Sequence, residues 1–281
     1  MKQLFDELSY QLSKITTQKY STSFSLGIMA LHPSIRPAIY AIYGYVRLAD
    51  EIVDSFHGYD KAVLLQRFRQ QTWEALDEKI SVNPILNAFQ ETVNEYRIDR
   101  GLIDQFLQSM EMDLSPLTYD PELYSRYILG SAEVVGLMCL KVFVKGDADA
   151  YEALKPFAMK LGSAFQKVNF LRDLKDDYQQ LGRTYFPHIE MGRFDDTVKR
   201  QIEQEIEKEF QEALKGIQRL SGTARFGVFL AYRYYLSLFR KIKRTPAARI
   251  LHHRVRIPNG RKLSLMMTSY VQYKMSITGG W

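Results

Sequence analysis

The sequence predicts an all-α fold, and three observations support it. Apolar residues recur at three- and four-residue spacing along most of the 281 residues, which is the period of an amphipathic helix. No stretch alternates between apolar and polar residues for long enough to require a β-strand. Apolar residues make up 46% of the chain and charged residues 25%, so a large core is possible. We therefore expect a single all-α domain over residues 1–281 with about ten helices, too many for a simple four-helix bundle.

Glycine and proline residues separate the predicted helices in chain order. The breakers in the first half are Pro33, Gly58, the pair Asn83 and Pro84, Gly101 and Pro116. The periodic segments that they separate are 1–14, 35–56, 60–80, 84–97 and 100–114. In the second half the segments are 121–144, 149–180, 196–219, 223–243 and 260–275. The stretch from Tyr178 to Phe194 is the longest irregular connection, and connections of that length are often functional lids.

Composition and charge exclude several classes of protein. Cys139 is the sole cysteine, so neither a disulfide framework nor a cysteine-rich zinc site is expected, and the chain suits a reducing, cytoplasmic compartment. Asp6 and Glu7 interrupt the first residues, which argues against a signal peptide. The most apolar segment, 127–144, contains Glu133 and is short for a membrane span. The net charge of +6 is concentrated late in the chain, and because no nucleic-acid motif accompanies it, we expect no nucleic-acid partner. A phosphate-bearing substrate and a membrane surface both remain open.

One face of the predicted helix 149–180 is rich in oxygen ligands. Its members step by three or four residues and are Gln166, Asn169, Asp173 and Asp177. Arg172 and Asp176 form a basic–acidic pair on the adjoining face. Carboxylate and amide oxygens are the ligands that Mg²⁺ prefers.

A second face of this kind lies in the predicted helix 35–56. Its members are Tyr43, Arg47, Asp50 and Asp54, with Arg47 and Glu51 as the adjoining pair. Two such faces across a cavity can hold metal ions that clamp a diphosphate leaving group. The alternative for each face is a solvated helix surface with salt bridges, and the apolar flanking residues argue against it.

Further polar residues admit two interpretations each. The segment from Tyr20 to Ser25 can supply hydroxyls to a phosphate or cap a helix. Arg183 can reach a diphosphate or remain solvated beside the helix-ending Gly182. The late basic residues Arg256, Arg261 and Lys262 can close over an anionic substrate or form a basic surface.

The motifs together resemble the squalene/phytoene synthase family of head-to-head prenyl transferases, and most of all its bacterial phytoene synthases. The segments that carry the resemblance are AIYGYVR (41–47) with DEIVD (50–54), QKVNFLRDLKDDYQQLGRTYFP (166–187), SFSLG (23–27), AYR (231–233) and RVRIPNGRKL (254–263). The resemblance implies an isoprenoid-synthase fold with helices around a central cavity.

The resemblance also implies roles for individual residues. Magnesium ligands would be Asp50, Glu51, Asp54, Asn169, Asp173 and Asp177, with Glu51 in a position that is often aspartate. Residues that contact the diphosphate or support the metals would be Ser21, Arg47, Gln166, Asn169, Arg172 and Arg183. Phe24 and Tyr43 would line the pocket, and the catalytic set would be Tyr43, Arg47 and the four aspartates.

By the same resemblance, two geranylgeranyl diphosphates condense to phytoene through a cyclopropyl diphosphate. A farnesyl-using dehydrosqualene or squalene synthase is the alternative within the family. Two alternatives of another class are a non-catalytic family relative that acts as an assembly or binding subunit, and nucleic-acid binding through the basic C-terminal third. Mg²⁺ is the expected cofactor, with Mn²⁺ as a substitute, and no nicotinamide cofactor is expected. A prenyl diphosphate is the expected partner, while the oligomeric state and a peripheral membrane contact for product release stay open. Two departures stand out, because Leu129 replaces a tyrosine of the family pattern and Glu133 replaces a glycine.

Overall fold

The computed structural model describes residues 1–115, 119–181, 185–187, 194–258, 260, 264–270 and 273, with the side chains of 176–181 excepted. Within these ranges no residue lies in a β-strand, which confirms the all-α prediction. The α-helices are α1 (Lys2–Tyr20), α2 (Thr22–Met29), α3 (Arg36–Asp54), α4 (Lys61–Glu78), α5 (Pro84–Tyr96), α6 (Arg100–Met112), α7 (Pro121–Ile128), α8 (Val134–Phe143), α9 (Ala148–Leu181), α10 (Asp196–Arg219), α11 (Gly222–Lys243) and α12 (Ala247–Ile250). Residues 264–270 are helical as well.

Short polar side chains fix where several helices begin. Asp60, Asn83 and Asp120 each accept a hydrogen bond from a backbone N–H in the first turn of α4, α5 and α7. These contacts satisfy N–H groups that have no partner within the helix. Three residues after the end of α8, Gly146 has a φ of 77°, a value that residues with a Cβ rarely adopt. The breakers that the sequence analysis used therefore act as caps and turns.

α1 is longer than the predicted segment 1–14, and α2 was not predicted as a separate helix. The buried face of α1 consists of Ser9, Ser13 and Thr17, whose hydroxyls donate to backbone carbonyls one turn earlier. A Cβ on Gly44 of α3 would lie 3.2 Å from the side chain of Ser13. The buried face of α1 thus carries small polar side chains, because α3 approaches it closely. Since this face is not apolar, the spacing of apolar residues could not reveal it.

The predicted helix 121–144 is interrupted by a π-helical turn at Leu129–Glu133 between α7 and α8. At the start of this turn a Cβ on Gly130 would lie 2.6 Å from the backbone oxygen of Gln105 in α6. The prediction of one uninterrupted α-helix was wrong there. The predicted irregular stretch from Tyr178 was also wrong at its start, because α9 continues to Leu181.

The long helix α9 runs beside a cavity that it shares with five neighbours. Its 34 residues span about 51 Å at 1.5 Å per residue. The cavity has a volume of about 300 Å³ and is lined from α2, α3, α8, α9, α10 and α11. Its wall is mainly apolar, and it includes Leu31, Leu154, Phe157 and Leu220 at the end that we call the apolar end. At the opposite end, called the mouth below, the lining includes Tyr43, Gln166, Asn169 and Tyr235.

Of the helices in the described ranges, none combines the length and the apolar character that crossing a bilayer requires.

Candidate active site

The aspartate face of α3 lies at the mouth, with Arg47 at its centre. The Arg47 guanidinium donates from Nη1 to Asp50 Oδ2 at 2.5 Å and from Nε to Glu51 Oε2 at 3.0 Å. The same guanidinium lies 4.3 Å from the ring centre of Tyr20. The predicted pair of Arg47 and Glu51 is therefore present, and Arg47 is held between two carboxylates and an aromatic ring.

The face of α9 meets the same space from the other side. Gln166 Nε2 donates to Ser131 Oγ at 3.5 Å, and Tyr235 Oη donates to Asn169 Oδ1 at 3.3 Å. Next along this face, Asp173 accepts from Arg172 Nε at 2.9 Å. Arg172 therefore pairs with the adjacent Asp173. The predicted pair of Arg172 with Asp176 stays a prediction, because the side chain of Asp176 is not among those described.

Several predicted residues lie outside the described part of the chain. Asp176 and Asp177 belong to α9, but their side chains are not among those described. Arg183, Arg261 and Lys262 fall outside the described residues altogether. Their predicted roles stay predictions.

The surroundings of Asp50 disfavour its negative charge. Burial, followed by repulsion from Asp54, Asp113 and Glu51, raises the pKa of this carboxyl to about 7, while Arg47 opposes the shift. Glu51 behaves differently, because hydrogen bonds from Arg47 and Ser55 lower its pKa although burial opposes them. Asp50 and Asp54 therefore lie close enough on α3 to repel each other, and Arg47 pairs with Asp50.

This donor set fits a hard divalent cation in its chemistry. Asp50, Asp54 and Asp173 offer carboxylate oxygens and Asn169 offers an amide oxygen, which suit Mg²⁺. A cation at the mouth would also relieve the repulsion that raises the Asp50 pKa. Among the described residues, however, no three carboxylate, imidazole or thiol side chains are close enough together to hold a metal ion. The described residues supply the ligand types, and the side chain of Asp177 lies outside those that the structure describes.

Aromatic side chains form the wall just inside the mouth. The ring centre of Phe24 lies 5.5 Å from that of Tyr43 and 5.8 Å from that of Tyr235. Phe165 stacks on Tyr235 at 3.9 Å. Such ring faces attract a cation as well as apolar groups.

Ser21 has one of the two roles that the sequence left open, that of a helix cap, while its contact with a phosphate stays a prediction. Its hydroxyl accepts from the backbone N–H of Phe24 at 3.2 Å and so caps α2. It is also hydrogen-bonded to Tyr43, whose pKa is raised by burial. Ser21 therefore stands at the mouth and starts the helix that carries Phe24.

Two residues that act on the site, Arg254 and Asp113, were not predicted from the sequence. Arg254 Nε lies 2.7 Å from Asp173 Oδ1, whereas the predicted Arg256 is exposed and its backbone carbonyl accepts from Lys241. Asp113 is buried, accepts from Tyr127 Oη at 2.7 Å, and acts electrostatically on Asp50. The sequence signals for Arg254 were the basic run after residue 250 and the segment RVRIPNGRKL, which begins with this residue.

Neither departure from the family pattern lines the cavity. Ser131, between Leu129 and Glu133, does line it. Burial raises the pKa of Glu133, and the nearby Lys160 opposes that shift. Glu133 is therefore compensated by a lysine on α9 and does not reshape the cavity wall directly.

Comparison with known proteins agrees with this geometry. The family model described as "Squalene/phytoene synthase" matches residues 17–261. Phytoene synthase 1, chloroplastic, of Solanum lycopersicum is 29% identical over 245 residues, which cover 80% of this chain and 58% of that protein. The chloroplastic phytoene synthase of an Oncidium hybrid cultivar is 30% identical over 251 residues, which cover 80% of this chain and 59% of that protein. The chain thus spans about three fifths of the length of these relatives.

Solved structures share the fold. A dehydrosqualene synthase in complex with a ligand superposes with a TM-score of 0.83 at 19% identity, covering 96% of this chain and 98% of that one. Squalene synthase HpnC from Alicyclobacillus acidocaldarius superposes with a TM-score of 0.73 at 19% identity, covering 84% and 93%. At these identities the likeness extends to the fold alone.

Proposed function

This chain belongs to the squalene/phytoene synthase family, and from that premise we propose that it condenses two geranylgeranyl diphosphates head to head into phytoene. The first half-reaction expels one diphosphate, joins the two prenyl chains and releases a proton as the cyclopropyl diphosphate forms. The second expels the other diphosphate, rearranges the carbon skeleton and releases a proton. The relatives from Solanum lycopersicum and Oncidium are named phytoene synthases, which supports this choice of product.

The observation that carries the proposal is the apolar cavity whose mouth is flanked by both aspartate faces. Lining residues on α9 extend from Asn169 back to Leu154, which is about 22 Å along the helix. A long prenyl chain fits such a wall, while its diphosphate stays among charged groups. The wall excludes water, which would otherwise trap an allylic cation.

Each group at the mouth has a proposed role. Mg²⁺ bound through Asp50, Asp54, Asp173 and Asp177 would neutralise the departing diphosphate. Arg47, Arg172 and Arg254 would bind its remaining oxygens once a cation draws Asp50 and Asp173 away from them. Tyr43, Phe24 and Tyr235 would face the allylic cation with their ring faces.

Farnesyl diphosphate is the alternative substrate. The fold is shared with a dehydrosqualene synthase and a squalene synthase, and similarity at the level of the fold does not distinguish the chain lengths. In a farnesyl-using enzyme the groups at the mouth would be the same, and the shorter prenyl chain would fill less of the apolar end.

Incubation of the purified chain with Mg²⁺ and each diphosphate in turn, followed by mass analysis of the extract, tests the proposal. We expect phytoene from geranylgeranyl diphosphate, and no product when the metal is chelated. A farnesyl-derived hydrocarbon alone would establish the alternative. If neither substrate yields a hydrocarbon, the proposed function is wrong.

A further inference from the structure

The apolar end of the cavity lies where α2 ends and α11 begins. A Cβ on Gly227 would lie 2.4 Å from the side chain of Leu31, and the backbone N–H of His32 donates to the carbonyl of Thr223 at 2.9 Å. Along α11, Tyr235 at the mouth is eight residues from Gly227, or about 12 Å. Leu31 lines this end and the next residue, His32, is exposed, so the cavity comes close to the surface of the molecule away from the charged mouth.

Three arginines surround this end. Arg36 Nε donates to the carbonyl of Leu31 at 2.9 Å, and Arg225 Nε donates to the carbonyl of Leu220 at 2.8 Å. The Arg219 guanidinium lies 5.5 Å from the ring centre of Phe157. Leu31, Leu220 and Phe157 all line the cavity. Within the described residues none of the three arginines forms an ion pair with a carboxylate, so their charge is available to an external anion.

Exposed apolar side chains accompany these arginines. Met29, at the end of α2, is 51% exposed. Tyr270 is also 51% exposed, and its ring centre lies 5.7 Å from that of Phe226 near the start of α11. Unpaired arginines beside exposed methionine and aromatic side chains are typical of surfaces that lie in the headgroup region of a bilayer.

We propose that this surface, called the arginine rim and defined by Met29, Arg36, Arg219, Arg225 and Tyr270, binds a bilayer that contains anionic phospholipid. The part of the proposal that concerns product rests on the proposed function. A long hydrocarbon is insoluble in water, and the apolar end lets it pass into acyl chains without crossing the charged mouth. The rim thereby joins the cavity to the compartment where the product dissolves.

A second basic surface of the molecule has positive charge but lacks the exposed apolar side chains of the arginine rim. It is the stretch 240–258, which contains no aspartate or glutamate. Lys243 there pairs with Glu207 and Arg254 pairs with Asp173, and no large apolar side chain of this stretch is exposed. Charge close to the mouth without apolar contact suits a soluble diphosphate better than a bilayer.

Co-sedimentation with vesicles of phosphatidylcholine, with and without phosphatidylglycerol, tests the proposal on the full chain without substrate. We expect binding to the vesicles that contain phosphatidylglycerol. The double variant Arg219→Gln/Arg225→Gln should lose about 25-fold in partitioning, since each basic residue at an anionic surface contributes about fivefold. Arg240→Gln/Arg244→Gln removes the same charge elsewhere and should lose less than about twofold.

Three results would overturn the proposal: no binding by the native chain, equal loss in both double variants, or larger loss in the control. Because Arg225 also holds the Leu220 carbonyl, thermal unfolding of each variant is measured alongside. Arg219→Gln alone leaves that contact in place and should lose about fivefold. The measurements omit substrate, so failure of vesicle binding and failure of hydrocarbon formation are separate results.

A second measurement reports which end meets the bilayer. Met29→Cys and Tyr59→Cys are each labelled with an environment-sensitive dye, position 59 lying in the connection after α3 at the mouth end. Cys139 stays unlabelled near neutral pH, because burial raises its pKa to about 12. A blue shift on vesicles is expected at position 29 and not at 59. A shift confined to position 59 would place the mouth on the bilayer and refute the rim.

Discussion

Asp173 receives two arginines from different parts of the chain, and this decides how it acts. Arg172 lies next to it in sequence, whereas Arg254 reaches it from beyond α12. In the free protein both guanidinium groups neutralise the carboxylate. When a metal–diphosphate complex arrives, the same groups can pass to the phosphate oxygens, since arginine binds both anions in the same bidentate manner. Asp173 is therefore expected to keep two phosphate ligands in place as well as to bind metal.

Asp173→Ala should reduce hydrocarbon formation by roughly 10²–10³-fold, the range found when one electrostatic contact to a developing charge is removed. The helical circular dichroism signal should persist, because the carboxylate is not part of the buried core. Asp104→Ala is the matched control, since Asp104 also pairs with an arginine, Arg69, but on the surface between α4 and α6. Unfolding of Asp173→Ala would assign the aspartate a structural role instead.

Cys139 offers a probe of the cavity wall. Burial raises the pKa of its thiol to about 12, so roughly one molecule in 3,000 is a thiolate at pH 8.5. The rate of alkylation by iodoacetamide should rise about tenfold per pH unit from pH 7 to 10, whereas that of an ordinary thiol levels off near its pKa of about 8.5. Mass spectrometry of the modified chain measures the rate. Levelling near pH 9 would show that water reaches the thiol.

At the scale of elements, α9 is placed by backbone contacts that need glycine. A Cβ on Gly162 would lie 2.7 Å from the backbone oxygen of Ala132 in the π-helical turn. The turn presents Ser131 and Ala132 to the cavity, and Ser131 accepts from Gln166 on α9. The close approach thus sets the width of the cavity next to the mouth. The π-helical turn is the element that brings these groups to the wall.

Gly162→Ala should lower the free energy of unfolding by about 1–3 kcal/mol, the usual cost of adding a methyl group to a packed site. The clash is with backbone atoms, which cannot rotate away. Gly222→Ala is the control, because a Cβ there meets nothing within 4 Å, and it should stabilise the chain by about 0.4–1 kcal/mol. Chemical denaturation measures both. Equal stability of the two variants would mean that α9 shifts freely against the turn.

At the scale of the whole molecule, the cavity has a charged mouth and an apolar end that lies far from it. Arg47, Asp50 and Asp173 surround the mouth, whereas the wall between Leu154 and Phe165 is apolar or small. α9 runs along the cavity from the mouth to the apolar end. One substitution on α9 can therefore shorten the space for a prenyl chain without changing the mouth.

Ala158→Phe should shift substrate preference from geranylgeranyl towards farnesyl diphosphate. Ala158 lines the cavity eleven residues before Asn169, about 16 Å along α9, and a phenyl group there fills the apolar end. We expect the ratio of kcat/KM for the two substrates to change by at least about 10-fold, since pockets discriminate by this much for small differences in apolar volume. Ala248→Phe, on the exposed side of α12, should leave the ratio unchanged. An unchanged ratio in Ala158→Phe would show that the chain binds elsewhere.

The all-α class, most helix bounds and both aspartate faces could be predicted from the sequence alone. These features depend on residues three or four positions apart, and helical periodicity brings such residues together whatever the rest of the chain does. The pairing of Arg47 with Glu51 is of this kind. The prediction failed where the buried face is polar, as on α1, because no apolar period marks it.

Contacts between distant parts of the chain were decided by tertiary structure. Packing brings together Arg254 and Asp173, Tyr235 and Asn169, and Asp113 and Tyr127. No local spacing in the sequence encodes these pairs. The same is true of the arginine rim, whose members come from the ends of four helices and from residue 270. The sequence by itself determined which side chains share a helical face, since that is local geometry. Only the packed chain decided which faces meet, because burial of apolar surface is satisfied by the arrangement of all helices at once.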